Sequence, residues 1–124
     1  MNSSIASKLS ILGKWGGRLA ALLLFLFWGA FFIEHLTGWF LSGGSRSLPP
    51  QVWVGQILHF AMLAGLGMML KWDKPGALVM AISTAAFFAW IHPHTFPLIA
   101  LINLVPVGCF AVYWLVRDRA NTLP

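Results

Sequence analysis

The residues that could do chemistry in this chain are few: Glu34, His35, Gln56, His59, His92, His94 and Asn103. A carboxylate with one or two imidazoles can hold a divalent metal. Two imidazoles on facing helices can ligate haem iron from both sides. A carboxylate inside a membrane can also carry a proton in a small transporter. The spacing His92-x-His94 is frequent in metal sites on extended chain, although Pro93 between them also marks an ordinary turn. Each residue has a plainer role as well. Glu34 and His59 can form a hydrogen-bonded pair that locks helix register, and Gln56 and Asn103 can bond between helices. His35, His92 and His94 can be ordinary polar residues of a membrane interface.

No enzyme constellation accompanies them. No Ser-His-Asp set falls on one side of the chain's topology, and no glycine-rich phosphate loop is present. The single cysteine, Cys109, cannot form an internal disulfide and belongs to no CxxC pair, which removes thiol-oxidoreductase chemistry. Cys109 reads as a small buried residue. A non-catalytic protein is therefore expected.

Composition determines what must position these groups. The 124 residues are 59% hydrophobic and 9% charged. A soluble domain carries about 25% charged residues, so a water-facing surface cannot be made from this chain. Lipid is the matching solvent, and about 20 apolar residues make one crossing. Four runs qualify: 19–41, 52–70, 76–91 and 97–116, the third being short. The fold expected is all-α, a single membrane domain over 1–124, with four transmembrane helices in an antiparallel up-down bundle. The first run exceeds the roughly 7–15 residues of a signal peptide's apolar region and no A-x-A site follows, so it is expected to be retained.

The breaks are sharp. Residues 42–50 are rich in Gly, Ser and Pro, 71–75 form a charged turn with Pro75 placed to start a helix, and 92–97 form a hairpin. Connections this short impose antiparallel neighbours. Residues 5–15 place Ile5, Leu9, Leu12 and Trp15 at helical spacing among Ser and Lys, which predicts a short N-terminal interfacial helix. Trp15, Trp39, Trp53, Trp72, Trp90 and Trp114 fall near the predicted ends, as interfacial aromatics do. Lys8, Lys14, Arg18, Lys71, Lys74, Arg117 and Arg119 fall on one side of that topology and Arg46 on the other. The positive-inside rule puts the seven, and both termini, in the cytoplasm, with the bundle in the cell's inner membrane. The net charge of +5 then serves lipid phosphates rather than nucleic acid.

This orientation puts all four histidines and Glu34 in the outer half. At ~1.5 Å per residue, Glu34, His59 and Asn103 lie at similar depths, roughly 9–12 Å below the outer boundary. Gln56, His59, Leu63 and Gly67 form one stripe of the second span, and Phe27, Phe31 and Glu34 form one of the first. Glu34 and His35 are about 100° apart, so if Glu34 faces inward His35 lies toward a flank. Small residues crowd the second and third spans, from Gly55 to Gly67 and from Gly76 to Ala89, and favour close internal packing. Pro106 is expected to kink the fourth span and free a carbonyl near Ile102.

The stretch Leu24-Phe-Leu-Phe-Trp-Gly-Ala-Phe-Phe-Ile-Glu-His-Leu36 resembles the first span of small uncharacterised bacterial four-helix membrane proteins. His59-Phe60, Lys71-Trp72 and Asn103-Leu-Val-Pro106 are similar to that group as well. The resemblance implies fold and location, and no activity. Small multidrug exporters place their first-span carboxylate nearer its start and lack this histidine set, and no motif places the chain with the DoxX-like group. The function expected is a structural or accessory component of a membrane complex, in contact with lipid and other membrane subunits. The alternatives are a protein that holds a divalent metal or haem at the outer His and Glu residues, and a proton-coupled transporter using Glu34.

Overall fold

The computed structural model describes residues 2–41 (without the side chain of Phe40), 48–91 and 97–122. Its elements are α1 (Ser3–Leu36), which runs on as a π-helical turn over Thr37–Leu41, α2 (Pro50–Met69), α3 (Asp73–Ile91) and α4 (Pro97–Thr122). No strand occurs among the described residues. All four helices are long and apolar enough to cross a membrane.

Local chemistry explains the boundaries. Pro50 occupies the first turn of α2, where a missing N–H costs nothing. Asp73 opens α3 with a negative charge at the positive end of the helix dipole. That start also lengthens the short third run to a 19-residue helix. At the top of α1, the Thr37 hydroxyl donates to the carbonyls of Ile33 at 2.9 Å and Glu34 at 3.0 Å. Such back-bonding competes with the backbone ladder, and the ladder widens to a π turn from this residue.

One expectation changes. Residues 5–15 are not a separate interfacial helix. They are the first third of α1, continuous with the span, and the helix runs unbroken through Gly16 and Gly17. α4 is helical through Pro106, whose ring is packed in the core.

The helices associate as two tight pairs, α2 with α3 and α1 with α4. Glycine sets the approach of each. A Cβ on Gly65 would lie 2.7 Å from the amide nitrogen of Met80 and 2.9 Å from its Cα, so the α2 and α3 backbones touch there. A Cβ on Gly13 would lie 2.8 Å from the carbonyl oxygen of Cys109. Gly13, Gly17 and Ala21 are the buried residues of α1, at intervals of four, and this small-residue stripe seats α1 on α4. Gly13 meets Tyr113, Gly17 meets Phe110, and Trp28 reaches Asn103, so the pair runs in opposite directions. The core between the pairs is Ala21, Met62, Leu66, Met69, Ala77, Met80 and Phe110.

The two ends differ in character. At the end holding the α2–α3 turn, the Trp114 indole donates to Asp73 Oδ2 at 2.9 Å and ties α4 to the start of α3. Lys14 and Arg117 lie over the Tyr113 ring, and Lys71 over Trp72. The cations hold their charged ends over aromatic faces. Trp15, Trp39, Trp53, Trp72 and Trp90 are all exposed.

Candidate functional site

At the opposite end, the helices part around a chamber of about 460 Å³. Trp28, Phe31, His35 and Trp39 form its α1 wall, and Gln56 and His59 belong to its α2 wall. Phe87, Phe88 and Trp90 of α3 close another side, with Ile99 from α4. At the rim, Trp90 Nε1 donates to the Gln51 carbonyl at 3.3 Å and joins α3 to the start of α2.

The polar centre is a chain of hydrogen bonds through Trp28. The indole Nε1 donates to Asn103 Oδ1 at 2.6 Å, and Asn103 Nδ2 donates to the sulfur of Met62 at 3.2 Å. His59 Nε2 donates to the Trp28 carbonyl at 3.1 Å. Three helices are thereby tied at one level: α1 to α4, α4 to α2, and α2 back to α1. Each interhelical bond in an apolar medium contributes on the order of 1 kcal/mol, and the larger effect is that the Trp28 indole N–H, Asn103 Oδ1 and the His59 Nε2–H are not left bare. Asn103 is fully buried.

The bond to a carbonyl also defines the His59 ring. Only an N–H can donate to that oxygen, so Nε2 carries a proton, and in the neutral ring Nδ1 keeps its lone pair. Nδ1 has no partner among the described residues and is not sealed in protein. The ring is wedged edge-on against Trp28 and Phe32, with centroids 5.5 and 5.4 Å away, and is tilted against Phe87. Aromatic contacts of this kind hold the imidazole in one orientation. His35, which also lines the chamber, donates from Nδ1 to the Phe31 carbonyl at 2.7 Å and abuts Trp39.

Of the sequence candidates, the structure brings His35, Gln56 and His59 to the chamber and puts Asn103 behind Trp28. Glu34 lies elsewhere. It is exposed on the outward side of α1, and its carboxylate has no partner among the described residues. His59 bonds the Trp28 carbonyl instead of Glu34. The α1 stripe that faces the bundle is Gly13, Gly17, Ala21, Leu24, Trp28, Phe31 and His35; of the row Phe27, Phe31 and Glu34, only Phe31 lies on it. At about 100° per residue, His35 falls within about 20° of Trp28, and Glu34 about 120° away. The relation between Glu34 and His35 is thus the reverse of the one anticipated.

His92 and His94 lie outside the described residues. No group of three His, Cys, Asp or Glu able to hold a metal occurs among the described residues. What the chamber offers a ligand is two imidazole nitrogens and a carboxamide in an aromatic setting. Cys109 is half-buried, at the seam where α1 meets α4.

Trp28 is the residue that sequence reasoning passed over. The signal was available, since it is the one tryptophan of seven that sits in mid-span rather than at an end. Ser83 and Thr84 were also missed. Both are buried and bond within their own helix, Ser83 to the Val79 carbonyl at 2.6 Å and Thr84 to the Met80 sulfur at 3.7 Å. No protein-family model, curated protein or solved structure matches this chain.

Proposed function

We propose that the chain is an integral membrane protein of four up-down spans and serves as a non-catalytic accessory component of a membrane complex. Both termini face the cytoplasm of the inner membrane, and a partner subunit docks along the outward face of α1. The observation that carries this reading is Glu34. It is exposed on α1 five residues before the interfacial Trp39, so it lies roughly 7 Å below the headgroup level. An uncompensated carboxylate facing hydrocarbon is unfavourable, by up to about 2.5–3.5 kcal/mol at mid-membrane and less toward the boundary. A partner helix presenting Lys, Arg or an amide removes that cost. The rest of α1 agrees. Of its most apolar 18-residue stretch only 6% is buried in the bundle, against 39% for α2 and for α3.

The orientation rests on seven of the eight Lys and Arg residues sharing one side of the topology. The test is photo-crosslinking in native membranes. A crosslinker at Ile33, beside Glu34, should capture one defined subunit, and Ile57 on α2 should capture none. Glu34→Leu should abolish the Ile33 product while the bundle stays folded. A product from both positions, or one indifferent to Glu34, would refute the proposal.

A further inference from the structure

We infer that the chamber between α1, α2 and α3 is a binding site for a neutral, lipid-soluble ring compound bearing a hydroxyl group, of the phenol or hydroquinone class. The inference is independent of the partner contact, which uses the other face of α1.

The recognition chemistry lies on one face of α2. His59 presents Nδ1 as an unpartnered acceptor, held there because Nε2–H is committed to the Trp28 carbonyl. One turn earlier, Gln56 also lines the chamber. A hydroxyl donates to His59 Nδ1, and a hydrocarbon or an acyl chain cannot.

The walls select the remainder of the ligand. Trp28, Phe31, Phe87, Phe88 and Trp90 surround the space, and Trp28 already packs edge-on with Phe87 and Phe88 at 6.3 and 6.4 Å. A flat ring extends that edge-to-face packing. No Lys, Arg, Asp or Glu is among the described residues lining the chamber, so the ligand is neutral. The volume of about 460 Å³ is in the range of small-molecule sites. One wall is thinned for it. Gly55 lines the chamber, and a Cβ there would meet nothing within 4 Å, so that glycine is not needed for helix contact.

The experiment uses the full chain in lipid nanodiscs and two probes, 2-naphthol and its methyl ether, with empty nanodiscs as the partition control. Equilibrium dialysis should show saturable 2-naphthol binding, with the ether roughly fivefold to tenfold weaker because it cannot donate to His59. Gly55→Leu should fill the chamber and remove saturable binding, with helix content and melting close to those of the native chain. His59→Phe keeps an aromatic wall and should bring 2-naphthol down to the ether's affinity. Equal affinity for the two probes, absence of saturable binding, or undiminished binding by a folded Gly55→Leu chain would each overturn the inference. If Gly55→Leu does not fold, the probe pair on the native chain decides the question alone.

Discussion

The Trp28–Asn103 contact gives the sharpest test of how the bundle is held. Asn103 is fully buried, and its oxygen receives the Trp28 indole N–H at 2.6 Å. Asn103→Leu keeps the branching and the number of heavy atoms and suits lipid, so shape alone predicts only a small change. The hydrogen-bond ledger predicts otherwise. The indole N–H is left without an acceptor in a dry interior, which costs about 1–3 kcal/mol. Trp28→Phe has the converse defect: it leaves Asn103 Oδ1 bare and loses ring area, for a cost of about 2–4 kcal/mol. In the double variant neither orphan exists, so its loss should fall short of the sum of the two by about 1–2 kcal/mol. The assay is reversible unfolding in mixed micelles with increasing SDS, followed by circular dichroism so that the lost tryptophan does not alter the signal. Additivity within about 0.3 kcal/mol would show that the two side chains do not depend on each other, and the argument from the polar relay would fail.

Further outcomes follow from the same geometry. Gly65→Val should destabilise the bundle by at least about 2 kcal/mol, because its Cβ meets Met80 backbone that cannot give way. Gly108→Ala, with nothing within 4 Å, should leave stability unchanged or raise it by about 0.5–1 kcal/mol, so the same unfolding assay should separate the two glycines. Asp73→Ala removes both the Trp114 indole acceptor and a favourable charge at the α3 N-terminus, and should cost about 1–2 kcal/mol and expose the Trp114 indole to added quencher. Reporters fused after Thr122 should register the cytoplasm, and replacing Lys71 and Lys74 by Gln together with Ser45→Lys should weaken that orientation.

Much of this architecture was legible one residue at a time. Helix number and approximate span limits came from runs of apolar residues, and the tryptophans near predicted ends are exposed apart from Trp114, although Trp15 lies well inside α1. Preference for lipid over water is a property of each side chain and sums over a window, so it requires no knowledge of neighbours. The helix stop at Met69 and the restart at Asp73 were similarly local, fixed by Lys71, Trp72 and Pro75.

The direction in which each side chain points is a different kind of quantity. Glu34 and His35 are adjacent, and no window of hydropathy says which one enters the bundle. That is decided about five turns away, where Gly13, Gly17 and Ala21 seat α1 on Phe110 and Tyr113 and fix the rotation of the whole helix. A helix is rigid about its axis, so the setting carries through Leu24 and Trp28 to His35 and leaves Glu34 outside. The interval of four between Gly13, Gly17 and Ala21 was present in the sequence, but among many small residues only packing singles out the stripe that is used. In the same way His59 could be predicted as a buried polar residue, while its tautomer and free nitrogen depend on where the Trp28 carbonyl comes to lie. Sequence determined the solvent for each segment, because that is local and additive. Tertiary packing decided the facing and the chamber, because those are relations between helices.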